Sequence, residues 1–189
     1  MNNNKIAHIG HPILREPTTE VPLKKINTEE IKNLIRKLTE IMHEFNGAGL
    51  AANQIYESYR ICVLEIKNNL RYKHLPEVPF KVLINPKIVS KNQKKIFSSF
   101  EGCLSVPNLR GRVNRSYDIT VEYYDQNAKY NLDHIKGIQA IVYQHEIDHL
   151  DGILFTDKVK DKKSLVTYEN YIKYYEEDYR LELMKLANY

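Results

Sequence analysis

What the sequence has little of narrows it first. Two cysteines, Cys62 and Cys103, in 189 residues are too few for a disulfide scaffold and fit a reducing compartment. No apolar run approaches the ~20 residues that a membrane-spanning helix needs. The start, Met1-Asn2-Asn3-Asn4-Lys5-Ile6, has neither an apolar h-region nor an Arg-rich amphipathic pattern, so a cytoplasmic protein is expected. Basic residues do not gather into a stripe: 28 Lys and Arg stand among 24 Asp and Glu, for a formal charge of +4. Neither direct DNA binding nor membrane attachment is expected from that pattern. The phosphate-binding patterns G-x-x-x-x-G-K-[ST] and G-x-G-x-x-G are missing, so a nucleotide is not expected. No internal repeat or linker divides the chain, and 42% hydrophobic with 28% charged residues is an ordinary globular composition. One domain over residues 1–189 follows.

What is present centres on residues 144–150, Gln144-His145-Glu146-Ile147-Asp148-His149-Leu150. Two histidines four positions apart on a helix lie about 40° apart around its axis, so their ring nitrogens can converge on one metal ion. Glu146, beside the first histidine, can reach a water held by that ion without ligating it. The spacing H-E-x-x-H thus supplies two neutral ligands, one base and an open position, the equipment for metal-assisted amide hydrolysis. A helix is expected here: Ile138, Ile141, Val142, His145 and His149 recur at helical intervals between Gly137 and Gly152. The motif alone leaves open a helix with two chance histidines; a third ligand and an oxyanion stabiliser elsewhere would decide between the two.

In chain order, residues 5–26 with Gly10, Pro12, Pro17 and Pro22 read as a turn-rich lead-in. Asn27 as N-cap with Glu30 three residues on predicts a helix. Its apolar stripe is Ile31, Leu34, Ile35, Leu38, Ile41, Met42 and Phe45, stopped by Asn46-Gly47, with His43 on the solvated side. The small residues of Gly47-Ala48-Gly49-Leu50-Ala51-Ala52-Asn53-Gln54 allow a close backbone approach to a ligand or another strand. Residues 60–66 read as a strand with Cys62 as packing, and 67–80 as a loop. Residues 82–85 and 87–89 read as short strands broken at Pro86. Cys103, between Gly102 and the bend at Pro107, stands at a loop or strand end, where side chains are displayed. Residues 119–125 and 130–136 form a hairpin around Gln126-Asn127-Ala128-Lys129. Residues 164–187 lack Gly and Pro, and Leu165, Tyr168, Ile172, Tyr175, Tyr179, Leu183 and Leu186 step by three or four, predicting one long C-terminal helix. The fold class is α+β: antiparallel strands around a central metal-binding H-E-x-x-H helix, with an N-terminal amphipathic helix and a long C-terminal helix.

Three segments carry a family resemblance: Gly47-Ala48-Gly49-Leu50-Ala51-Ala52-Asn53-Gln54, Glu101-Gly102-Cys103-Leu104-Ser105 and Gln144-His145-Glu146-Ile147-Asp148-His149. In order and separation they resemble the three signature motifs of peptide deformylases. Gly10-His11-Pro12-Ile13-Leu14-Arg15 and Leu150-Asp151-Gly152-Ile153-Leu154-Phe155 also resemble family segments. The likeness covers residues 8–159 and leaves 160–189 as a C-terminal helical extension. It implies a metal-dependent hydrolase that removes the N-formyl group from the initiator methionine of nascent polypeptides.

The resemblance also implies roles. Cys103, His145 and His149 would be the protein ligands of one divalent ion. Fe²⁺ is the expected metal in the cell, with Zn²⁺, Ni²⁺ and Co²⁺ as alternatives in purified protein. Glu146 would be the general acid–base, and the Gln54 side-chain amide and Leu104 backbone N–H would face the developing oxyanion. The backbone around Ala48, Gly49 and Gly102 would bind the peptide in extended form. Ile141, Val142 and Leu104 would line the methionine pocket, and Arg110 is a candidate for touching substrate backbone. Glu101–Arg115 is a candidate structural ion pair. Ala48 departs from the family, which usually has Val or Ile between the two glycines, so a wider cleft is expected. His8, His11, His74 and His134 have no ligand spacing.

Two rivals use the same features differently. A zinc endopeptidase of the metzincin kind needs a third histidine where Phe155 stands, after His149 and Gly152. Glu169 is the remaining peptidase ligand, a reading that leaves Cys103 unexplained. A non-catalytic ribosome-associated module would dock through the terminal helix. Residues 157–189 hold seven Lys/Arg and seven Asp/Glu, so no basic tail supports ribosome contact.

Overall fold

The computed structural model describes residues 5–67 and 77–187. The lead-in holds two short 3-10 turns, Pro12–Arg15 and Leu23–Lys25. Helix α1 spans Glu29–Glu44 and buries Ile31, Leu34, Leu38, Ile41 and Met42, each worth about 1.5–3 kcal/mol of transfer from water. It begins one residue later than expected. Thr28, not Asn27, is the N-cap residue. The expected capping box is absent because the Thr28 hydroxyl donates backward to the Lys25 carbonyl at 2.7 Å. Phe45 lies past the helix end and is exposed.

Strand β1 (Gly49–Ala51) runs into a 3-10 turn at Ala52–Ile55, and β2 spans Ile61–Ile66. β3 runs without interruption over Val78–Lys91. The expected break at Pro86 is therefore a distortion inside one strand, and Val78–Phe80 belongs to it rather than to a loop. The ladder shifts register between Ile84 and Lys87, where a missing N–H costs no ladder bond. Asn85, at φ 53°, exchanges two 2.8 Å side-chain hydrogen bonds with the Val21 backbone. Arg60 donates to the Pro86 carbonyl at 3.0 and 3.1 Å.

β4 (Ile96–Cys103) and β5 (Val106–Ser116) form a tight antiparallel hairpin that bends at Leu104-Ser105, before Pro107. β6 (Asp118–Tyr124) and β7 (Tyr130–Lys136) are the expected hairpin. Helix α2 covers Gly137–Leu150, and a short helix α3 follows at Phe155–Lys158. The expected single C-terminal helix is instead β8 (Val166–Thr167), α4 (Tyr168–Tyr174) and α5 (Glu176–Ala187). Val166 and Thr167 pair with Arg110 and Leu109 on β5, which holds them extended. The Thr167 hydroxyl then caps α4 by accepting from the Asn170 N–H at 3.2 Å, and Tyr175 at φ −129° separates the two helices.

Among the described residues one sheet has the order β1-β2-β3-β6-β7 and the other β4-β5-β8. α1 packs on the β1–β2 end of the five-stranded sheet. α2 lies between layers. Ala140, Tyr143, Ile147 and Leu150 face the large sheet with Leu64, Leu83, Val121 and Tyr123, and Ile138 and Ile141 meet Tyr179 and Leu183 of α5. Cys62 is fully buried in that large-sheet layer, as expected of a packing residue. No helix among the described residues is long and apolar enough to cross a membrane.

Gly152 turns the chain out of α2 at φ +75°, where an added Cβ would stand 2.6 Å from the Arg15 carbonyl oxygen. Gly10, at φ +99°, has open space around it. In urea unfolding, Gly152→Ala is expected to lose about 1–3 kcal/mol and Gly10→Ala distinctly less. Equal losses would show that dihedral strain, not the clash with the lead-in, sets the cost.

Candidate metal centre

The site forms where α2 meets the β4–β5 hairpin. On α2, His145 and His149 stand one turn apart, with ring centroids 5.0 Å from each other. Cys103 ends β4 and projects toward them: its Sγ lies 3.1 Å from His149 Nε2. Donor atoms of Cys103, His145 and His149 all fall within 4.8 Å of one another. One sulfur and two nitrogens at such separations fit a single four-coordinate ion bound at about 2.0–2.3 Å. Cys103 is 5% exposed, so the strand end displays it into a cleft and not to solvent.

The surrounding groups orient the donors. His145 Nδ1 is 2.8 Å from Glu101 Oε2, which leaves Nε2 for the cleft; a carboxylate behind a histidine fixes its tautomer and ring plane. Glu101 in turn accepts two hydrogen bonds from Arg115, at 2.6 and 2.8 Å. Arg115 also reaches Asp148, which takes a 2.8 Å bond from Lys158. Asn53 donates to the His149 carbonyl at 2.5 Å. The Gln54 carbonyl accepts from the Ala51 N–H at 2.8 Å, which turns its amide NH₂ toward Ser105 Oγ (3.0 Å) and Cys103 Sγ (3.5 Å).

Electrostatics follow from this packing. Burial pushes the Cys103 thiol up, but the charge of His149 and hydrogen bonds from both histidines outweigh it and hold the thiol well below its ordinary value. Burial lowers His145, yet its bonds to Cys103 and Glu101 raise it well above the usual imidazole range. Burial would raise Glu101, but the Arg115 charge and hydrogen bonds bring it to about 2. Glu146 is pushed up to about 7, chiefly by burial, against the lowering charges of the two histidines. Its Oε2 is buried without a hydrogen-bond partner, beside donors for a cation. A free-standing carboxylate oxygen next to a thiol and two imidazoles is unlike a packed core, and it makes this cavity the candidate metal site among the described residues.

The cleft is lined by Ala48, Gly49, Gly102, Leu104, Ile141 and Val142 in addition to Cys103, His145 and Glu146, with His149 buried behind them. Arg110 also lines it, buried, with its guanidinium 4.5 Å over the Tyr168 ring and a 3.0 Å bond to the Leu109 carbonyl. Glu169 stands exposed in the first turn of α4 and is not among the side chains that converge, so the peptidase reading loses its third ligand. His43 and His134 pair at the surface with Glu65 and Asp118. His11 accepts from the Ile13 N–H at 3.3 Å, and His74 lies outside the described residues. Sequence reasoning missed the bond from His145 to Glu101 and the partnership of Arg115 with Asp148. The first had a signal: Glu101 and Cys103 are two apart on a strand and so share a face. It also missed Ser99, Tyr171, Tyr179 and Leu183 as cleft residues.

A buried carboxylate beside a thiolate–imidazole donor set belongs to metal-dependent hydrolysis, and a metalloenzyme of mixed α/β fold is the class that fold and site define. Comparison with known proteins narrows the class. A family model described as polypeptide deformylase matches residues 3–165. Peptide deformylase 2 of Nostoc sp. is 39% identical over 166 residues, 88% of this chain and 91% of that protein. The peptide deformylase of Leptospira biflexa serovar Patoc is 41% identical over 160 residues, covering 84% and 89%. Among solved structures, a class I type b peptide deformylase from Acinetobacter baumannii with Met-Ala-Ser bound superposes with a TM-score of 0.78 at 34% identity, over 82% of this chain and 96% of that one. The chain belongs to the polypeptide deformylase family. It is an enzyme of metal-dependent deformylation, the removal of the formyl group from nascent peptides.

Gly49 offers a test of how tightly Glu146 is held. A Cβ there would stand 2.5 Å from Glu146 Oε1, and the flexible end of the glutamate yields before the strand does. Gly49→Ala is expected to cut formate release at least about tenfold, a fraction of the ~10²–10⁴-fold worth of a positioned acid–base group, with little change in thermal midpoint. Retention of full activity would mean that the carboxylate position is not critical.

Proposed function

We propose that Cys103, His145 and His149 hold one divalent metal ion, Fe²⁺ in the cell, and that Glu146 moves the protons as N-formylmethionyl peptides are hydrolysed in the cytoplasm. The observation that carries this is the convergence of the three donors within 4.8 Å beside a buried, unpartnered Glu146 oxygen. When bound, such an ion polarises the formyl carbonyl and lowers the pKa of water from ~16 toward ~7. The chain's own residues supply the rest. Glu146 takes a proton at Oε2 from the attacking water and returns it to the leaving amine. The Gln54 amide, turned toward Cys103 by its bond from Ala51, donates to the developing oxyanion together with the Leu104 backbone N–H. Each donor is worth about 3–4 kcal/mol of barrier when well placed.

The peptide lies extended along the backbone at Ala48, Gly49 and Gly102, and Arg110 meets its backbone. Ile141 and Val142 line the pocket for the methionine side chain. Support comes from the shared cleft of these residues, and from a relative that binds Met-Ala-Ser. Between Gly47 and Gly49 the small Ala48 leaves the cleft wider on that side, so the residue after methionine is loosely selected. The catalytic unit takes in the family-like part, residues 3–165, together with the helices that follow it.

Two experiments test the assignment in protein purified without oxygen. Glu146→Gln keeps the shape but cannot accept a proton: metal per chain stays at the wild-type value while turnover falls at least ~10²-fold. Loss of metal instead would make Glu146 a ligand or a ligand support. In parallel, Cys103→Ala is expected to lose most of its metal and its release of formate from a formyl-Met peptide, whereas Glu169→Gln keeps both. A metal-replete, active Cys103→Ala protein would end the ligand assignment.

A further inference from the structure

The family match ends at residue 165, yet the helices beyond it form part of the cleft. Tyr171 on α4 and Tyr179 and Leu183 on α5 line the same space as His145, Ile141 and Val142. Tyr179 and Leu183 are each 6% exposed and share one apolar cluster with Ile138 and Ile141 of α2. Leu181 and Met184 on the same helix are 44% and 54% exposed. α5 therefore has an inward and an outward side.

The inward side is fixed in place. The Tyr179 hydroxyl shares a 2.6 Å hydrogen bond with Ser99 on β4. Arg112 on β5 makes two 2.8 Å bonds to Glu182 and lies 4.4 Å over the Phe100 ring. Phe100 packs edge-on against Tyr171 and Tyr179, at 5.2 and 5.6 Å. These contacts tie α5 to the hairpin that carries Cys103. A wall held on two strands does not yield to a larger ligand without losing several of them, so it selects by volume.

We propose that α5 is a specificity-determining wall of the substrate pocket, with Leu183 and Tyr179, which line it together with Ile141 and Val142, setting the width open to the methionine side chain. This rests on the assignment of Ile141 and Val142 to that pocket. Leu183 acts on the side chain of the substrate and takes no part in the proton transfers.

The test compares kcat/KM for peptides beginning with formyl-Met, formyl-Phe and formyl-Ala in metal-replete wild type, Leu183→Ala, Leu183→Phe, Leu183→Met and Met184→Ala. Ratios between substrates cancel any loss of active protein, so a purely structural role leaves them unmoved. Pocket changes of a methylene or more shift such ratios by ~10–200-fold. Leu183→Ala is expected to raise formyl-Phe over formyl-Met about tenfold or more, on that scale. Leu183→Phe should favour formyl-Ala over formyl-Met by a similar factor. Leu183→Met, of similar volume, should move both ratios far less, and Met184→Ala should leave them at the wild-type values. Should Leu183→Ala or Leu183→Phe fail to fold, the other one decides. Unchanged ratios in an active Leu183 variant, or the same shift in Met184→Ala, overturn the wall. A wild-type protein that releases no formate from any of the three peptides would overturn the deformylase reading itself.

Discussion

One buried guanidinium holds the site together. Arg115 is 2% exposed and bonds Glu101 on β4 through two nitrogens and Asp148 on α2 through the third. Arg115, Glu101 and Asp148 are buried together, and Lys158 on Asp148 adds a second positive charge from the half-buried rim. Removing one partner of such a set strands a charge and costs about 3–5 kcal/mol. The network joins the strand that ends in Cys103 to the helix that carries both histidines. Glu101 serves two ends at once: one oxygen faces Arg115 alone, and the other is shared between Arg115 and His145. The register of β4 on α2 and the ring plane of His145 are therefore set by one carboxylate.

Parts of this were legible in the sequence for physical reasons. H-E-x-x-H names two side chains whose relation depends only on helical geometry, and the helix bounds of Gly137 and Gly152 came from local chemistry. The β6–β7 hairpin announced itself through the alternation of residues 119–125 and the polar turn that follows. The α1 stripe was equally plain because that helix buries one side only. What could not be read was pairing between distant segments. Nothing near Asp148 indicates that its carboxylate meets Arg115 thirty-three positions away, and nothing near Ser99 points to Tyr179.

The C-terminal segment shows how a true signal can mislead. The apolar steps from Leu165 to Leu183 mark a core-facing side only in part: Tyr179 and Leu183 are buried, whereas Ile172 and Tyr175 are exposed, because the backbone is not one continuous helix. Start signals inside the stretch carried the missing information. Thr167 caps α4, and Glu176, Glu177 and Asp178 crowd the first turn of α5, where acidic groups meet the positive end of a helix. Edge pairing of Val166 and Thr167 with β5 keeps those two residues extended, so the helix cannot begin before Tyr168. The strand β3 errs in the opposite sense: Pro86 suggested an end, but a register shift absorbs it.

The same break gives the cleft its second side. A straight helix over residues 164–187 would run on in one direction and present Tyr168 and Tyr179 three turns apart along a single stripe. With β8 fastened to β5 and a kink at Tyr175, α4 sits beside Arg110, and α5 returns across Phe97 and Phe100. The tyrosines then stand around the β4–β5 hairpin instead of along a line. Their apolar rings face the cleft, and the Tyr179 hydroxyl still finds Ser99, so aromatic surface is buried without leaving that polar end unpaired. A segment that carries no metal donor thus shapes the space in front of the donors, and it does so through contacts on the strand that ends in Cys103.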